Sequence, residues 1–249
     1  MAITGDIGTG AVAFAVAAVL AGGFVKGYSG FGASMMWVGT LSLVFPPHQV
    51  VPVVLLWEVA SSLQLLPKAW REIEWRSLGW LSLGATVATP IGAYLLANLP
   101  VGAVRIGIGL IVFAGSYLIW RGFTWSGRPT PWAIVGVGLA FGVLNGSTAL
   151  GGPPVVLFYL ATTAGASTSR ASIIAFFLAT DALAALSQMS AGLLTGDVLY
   201  AAALMLPLVV LGTWLGSRHF LKTEPADFKR FALVVLMALG VLVTVRALV

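Results

Sequence analysis

Three long runs of this chain contain no Asp, Glu, Lys or Arg: Gly27 to Trp57, Ser77 to Val104 and Pro129 to Ser169. About a quarter of the residues in a soluble domain are charged. Here only 8% of 249 residues are, 59% are hydrophobic, and mean hydropathy is +1.01. Such a surface is covered by lipid, so the chain reads as a polytopic membrane protein. Spans in lipid are helices or closed barrels. Barrel strands alternate polar and apolar residues, which these runs do not, so the expected fold class is all-α.

Ten apolar segments are expected at 8–26, 32–46, 49–66, 77–98, 101–120, 131–145, 153–165, 170–190, 198–216 and 231–248. Turn signals separate them: Phe45-Pro46-Pro47, Leu66-Pro67, Asn98-Leu99-Pro100, Arg128-Pro129-Thr130-Pro131 and Glu224-Pro225. Met1 to Asp6 lacks the basic region of a signal peptide, so Ala11 to Val25 is expected to be a retained helix. With no cysteine, disulfides and thiolate chemistry are excluded. The formal charge of +5 sits in short loops, where it orients a membrane protein and does not point to nucleic acid.

If every segment crosses, one side holds Lys26, Lys68, Arg71, Arg76, Arg121, Arg128, Arg170, Arg218, Lys222, Lys229 and Arg230. The other side keeps Arg105 and Arg246 alone. The positive-inside rule then predicts both termini in the periplasm. Making 32–46 and 153–165 re-entrant would put the 217–230 charges outside, which argues against that topology.

The chain also repeats itself. Glu58 aligns with Asp181 and Glu74 with Asp197 at an offset of 123, Gly92 with Gly216 at 124, and Arg105 with Arg230 at 125. Two units of five segments, 1–125 and 126–249, are expected. An odd number of crossings inverts the second unit, and inverted repeats place binding sites at their interface near the midplane.

Each unit contains a charge-free glycine stretch. The first is Gly27-Tyr28-Ser29-Gly30-Phe31-Gly32; the second is Asn145-Gly146-Ser147-Thr148-Ala149-Leu150-Gly151-Gly152-Pro153-Pro154. The segments that follow are short against the ~20 residues a span needs. They are expected to be half-helices with N-termini facing a central anion, which unpaired N–H groups and the helix dipole attract. Ser29, Gly30, Phe31, Gly32, Asn145, Gly146, Ser147, Thr148, Gly151 and Gly152 are the candidate substrate-binding residues. The alternative is that these glycines serve only close helix packing. They cluster at breaks rather than at four-residue spacing, which favours the anion site.

Glu58 and Asp181 each stand mid-segment, where an acid costs ~3 kcal/mol or more and is a functional candidate. They are candidates for carrying coupling protons, or else structural acids bonded to backbone amides of the facing broken helix. Lys26 and Arg170 read as charges at a cytoplasmic mouth or as snorkelling side chains. Gln188 reads as a helix–helix contact, His48 as a loop residue, and Trp70, Trp75, Trp120, Trp125 and Trp132 as interfacial anchors. With His48 and His219 as the only histidines, no metal site is expected. No cofactor is expected either, and no hydrolase or nucleotide-binding motif occurs. The chain therefore reads as a transporter and not an enzyme, with a passive anion channel or a permease for another small organic anion as alternatives.

The first glycine stretch ahead of Phe45-Pro46-Pro47, and the second running into Pro153-Pro154, resemble the paired motifs of the TauE/SafE sulfite exporter family, also called the toluene-sulfonate uptake permease family. The resemblance covers nearly the whole chain. It departs at Ala33 and Ser34, where many members have a third glycine. The resemblance implies a bacterial inner-membrane permease for small sulfur-containing anions such as sulfite, thiosulfate or organosulfonates.

Overall fold

A computed structural model describes residues 9–42, 44–100, 129–161 and 165–220, with Ala103, Leu110, Tyr117 and Arg121 between. The segments expected at 101–120 and 231–248 lie outside the described residues, as does most of the boundary between the proposed units.

The other eight segments are helices: α1 Thr9–Ser29, α2 Ala33–Leu41, α3 Pro47–Ala69, α4 Trp75–Asn98, α5 Pro131–Thr148, α6 Gly152–Ala161, α7 Ala166–Ser190 and α8 Gly196–Phe220. A 3-10 turn, Trp70–Glu72, follows α3. All but α2 and α6 are long and apolar enough to cross a membrane. Val87, Ile91 and Tyr94 on α4, like Tyr200 and Leu204 on α8, present more than half of their surface outward. In water that display is costly; against acyl chains it is the expected exterior.

Some ends differ from the sequence reading. His48 belongs to the first turn of α3, because Pro46 and Pro47 preset a helix start. α2 stops at Leu41, whose carbonyl takes the amides of Val44 and Phe45 at 3.0 and 2.8 Å and closes a turn before the prolines. α3 runs past Pro67 to Ala69, and α8 reaches Phe220, so Arg218 and His219 sit in its last turn. Cations at that end suit the helix dipole.

Glycine ridges decide how these helices meet. Gly23 and Gly27 of α1 face Gly212 and Gly216 of α8, while Gly84, Ala88 and Gly92 of α4 face Gly138, Gly142 and Gly146 of α5. A Cβ on Gly23 would lie 2.9 Å from the Val209 carbonyl oxygen. One on Gly142 would lie 2.7 Å from that of Ala85. Backbones in such contact tolerate only small residues, and dispersion and close packing are what associate helices in lipid. Gly23 meets Gly212 while Gly27 meets Thr213 to Ser217, so α1 and α8 run in the same direction; the same reasoning makes α4 and α5 parallel. Gly27 and Gly146, read from sequence as part of the breaks, thus also belong to packing ridges with four-residue spacing.

The remaining helices close around a core where α3 packs on α7, with α2 against α1 and α3, and α6 against α5 and α7. Trp37 and Trp57 are buried there in edge-to-face contact at 5.4 Å. Trp37 and Trp57 donate to the Val19 and Ala202 carbonyls at 3.1 and 3.0 Å, so neither indole N–H is left unpaired in the apolar interior. Trp70, Trp75 and Trp132 are exposed.

Candidate functional site

The two breaks have the same local construction. At the end of α1, Ser29 Oγ lies 2.7 Å from the Val25 carbonyl and 2.6 Å from the Phe31 carbonyl, either of which its one hydrogen can reach, and accepts the Phe31 amide at 3.3 Å. At the end of α5, Thr148 Oγ1 donates to the Leu144 carbonyl at 2.6 Å and takes the Leu150 amide at 3.3 Å. The chain then turns through the left-handed region, at Gly30 (φ 82°) and at Ala149 (φ 56°). These two amides return to the carbonyls of Lys26 at 2.8 Å and Asn145 at 2.9 Å. A hydroxyl that occupies both a helical carbonyl and the next free amide ends a helix in lipid without leaving either group bare. Glycine is required at Gly30 by its φ and by Arg170 Cγ, 3.0 Å from where a Cβ would stand. Gly32, the N-cap of α2, is left-handed as well.

The residues whose carbonyls receive those amides also hold the two acids. Lys26 is fully buried and forms an ion pair with Glu58 of α3. Asn145 Nδ2 donates to Asp181 Oδ1 of α7 at 2.6 Å. The positions correspond: Lys26 and Asn145 are 119 apart, Glu58 and Asp181 123 apart. On α7, Asp181 lies one helical turn beyond Phe177, whose ring the Lys26 ammonium overlies, so the two pairs are neighbours and form one cluster. The Lys26 ammonium stands 4.8 Å from the centre of the Phe177 ring. Glu58 Oε1 and Asp181 Oδ2 are buried and have no hydrogen-bond partner among the described residues.

Several sequence-predicted residues stand elsewhere than expected. Both acids are held by side chains of α1 and α5, not by amides of the facing broken helices. Lys26 does not snorkel, because a buried carboxylate of opposite charge lies within its reach. Arg170 is likewise buried: Nε and Nη2 donate to the Tyr28 and Gly27 carbonyls at 3.1 and 2.6 Å, and its guanidinium lies 4.2 Å from the Phe220 ring. It therefore caps the C-terminus of α1, where unpaired carbonyls and the negative dipole end favour a cation. Gln188 caps α5 more weakly, donating to the Gly146 carbonyl at 2.9 Å.

Ser147 turns back onto its own helix, 2.7 Å from the Val143 carbonyl. Gly151 packs under the Phe141 ring and Asn145 Cβ, and Gly152 faces Phe177. The N-terminus of α6 thus reaches the ring that the Lys26 ammonium overlies. Phe31 is buried in the core. An apolar crevice lies apart from the breaks, beside the first half of α1, and is lined by Val12, Ala15, Phe45, Val53, Trp57 and Leu204. The Lys26–Glu58 contact was missed from sequence, although matching offsets already put the two polar pairs at equivalent places.

A family described as "Sulfite exporter TauE/SafE" matches residues 14–243. The chain belongs to the TauE/SafE family. It is similar to the "Probable sulfite/organosulfonate exporter TauE" of Cupriavidus necator, with 27% identity over 229 residues covering 88% of each chain. No solved structure matches it. Membership in this transporter family accords with the six membrane-length helices, and the chain is a multi-pass membrane protein.

Proposed function

We propose that this TauE/SafE member is a secondary transporter for small sulfur-containing anions (sulfite, thiosulfate or organosulfonates) in a bacterial inner membrane. Its two halves, 1–125 and 126–249, are inverted five-helix repeats that rock about the paired breaks. The observation that carries this reading is the matched construction of the breaks, each tied through its last helical turn to a buried acid. The parallel packing of α1 with α8, repeated by α4 with α5, supports the same symmetry.

The substrate sits between the two breaks, near Ser29, Gly30, Phe31, Gly32, Asn145, Gly146, Ser147, Thr148, Gly151 and Gly152. A sulfonate or sulfite group, with three acceptor oxygens, suits helix N-termini and hydroxyls. Glu58 and Asp181 are the candidate carriers of the coupling proton. Both termini face the periplasm.

Uptake of labelled sulfite, thiosulfate and isethionate into proteoliposomes, with and without a pH gradient, tests this. Saturable uptake of one of them is expected, faster with the gradient and lost in Glu58→Gln or Asp181→Asn. Non-saturating, gradient-insensitive flux would instead make the protein a passive channel. The native chain has no cysteine, so single cysteines at Arg71 and Leu99 report topology. The first should react with an impermeant thiol reagent only from the cytoplasmic side, and the second only from the periplasm.

A further inference from the structure

The Lys26–Glu58 pair has the makings of an exchange site. From this geometry we infer that the transported anion takes the place of Glu58 as the counter-ion of Lys26, and that a proton on Glu58 permits the exchange. The inference rests on the transport reading above and names the group that holds the substrate's charge.

The argument begins with charge. Among the described residues the cluster holds one cation, Lys26, and two acids, Glu58 and Asp181; its fourth member, Asn145, is neutral. α2 and α5 carry no charged residue. The other charges on the packed helices lie toward their ends: Lys68 and His48 on α3, Asp197, Arg218 and His219 on α8, Glu74 and Arg76 at the start of α4. Arg170 of α7 is occupied by the α1 carbonyls. Among the described residues Lys26 is therefore the one cation of the cluster, and an anion bound there without a proton would add negative charge to a buried site that already holds two acids. In a low-dielectric interior that is prohibitive.

The geometry supplies the exchange. Glu58 bonds Lys26 through Oε2, while Oε1 is buried and unpartnered among the described residues, so a proton has a place to land. With Glu58 neutral, the ammonium retains its charge and faces the Phe177 ring, against which the first residue of α6 stands. An anion at that helix start meets the ammonium and the positive end of the α6 dipole together. Charge then balances: one monoanion and one proton enter, Lys26 changes partner, and the site gains no net charge. Transport of a monoanion is electroneutral, in whichever direction the summed anion and pH gradients point. Asn145 cannot do the same for Asp181, so the second break provides hydrogen bonds and no charge.

Isethionate, a monoanion that does not titrate near neutral pH, is the probe. The purified full-length wild type in weakly buffered detergent should take up about one proton for each anion bound. Its dissociation constant should rise about tenfold per pH unit once Glu58 is ionised. Glu58→Gln imitates the protonated acid; it should bind with a pH-independent constant and take up no proton. The near-isosteric double variant Lys26→Gln/Glu58→Gln removes both charges together, which guards against misfolding, and should bind at least about 100-fold more weakly than Glu58→Gln. Wild-type binding without proton uptake, pH-dependent binding by Glu58→Gln, or undiminished transport by the double variant would overturn the exchange and leave sulfur-anion transport standing. If the folded wild type neither binds nor transports sulfite, thiosulfate or isethionate, both readings fall.

Discussion

The two breaks share a backbone and differ in charge. Ser29 and Thr148 both reach the carbonyl four residues back and accept the amide two residues on, Ser29 also reaching the Phe31 carbonyl, and Gly30 and Ala149 both turn through the left-handed region. Yet one break is anchored by an ion pair, the other by an amide–carboxyl hydrogen bond. The end of α1 is capped by an arginine and the end of α5 by a glutamine. Short-range sterics and the need to satisfy amides in lipid dictate the backbone. They place no demand on the charge of the side chain one turn earlier. The same scaffold can therefore carry a charged side chain at one break and a neutral one at the other.

The comparison breaks most completely if its framework is removed. Gly27→Leu would drive a side chain into the Thr213 carbonyl and the Ser217 amide. It should cost ~3 kcal/mol or more, at the upper end of overpacking, and yield no monodisperse protein on size exclusion in detergent. Gly79→Ala is the control, since nothing lies within 4 Å of its added Cβ, and it should leave the melting temperature unchanged or slightly higher.

Next in size is the contrast between the polar pairs. Lys26→Ala leaves Glu58 buried and alone, which should cost ~3–5 kcal/mol. Asn145→Ala removes one hydrogen bond from Asp181, for ~1–3 kcal/mol. Tryptophan-fluorescence melting of the two variants measures the difference; equal losses would mean that the pairs are equivalent after all.

The caps differ less. Arg170→Ala forfeits two charge-assisted bonds to α1 and should cost ~2 kcal/mol, against ~1 kcal/mol for Gln188→Ala at α5. Hydrogen exchange should show faster opening near Gly27 and Tyr28 in the first variant and near Gly146 in the second.

The smallest effect sharpens the backbone likeness. Ala149 holds a left-handed conformation without being glycine, so Ala149→Gly should stabilise by ~1 kcal/mol. Gly30→Ala should destabilise by at least as much, since it also meets Arg170 Cγ. If both substitutions shifted the melting point in the same direction, the two turns would not be equivalent.

Hydropathy, proline and glycine punctuation, and the 119 to 125 offsets made the all-helical class, eight segments of the described fold and both breaks readable in advance. These are local signals, because lipid forces each segment to satisfy its own backbone. Partner choice was not readable. Whether Lys26 would snorkel to the interface or turn to Glu58, 32 residues away, depends on which face of α3 meets α1. Arg170 finds the carbonyls of Gly27 and Tyr28 more than 140 positions back along the chain. Those choices are made by helix packing: glycine ridges bring α1 against α8 and α4 against α5, and α3 packs on α7. By itself the sequence determined where the chain must be helical and where it must break. Only the tertiary structure decided which charges share the interior, because close packing of small residues selects the helix faces that meet, and a buried charge takes the partner that packing brings within reach.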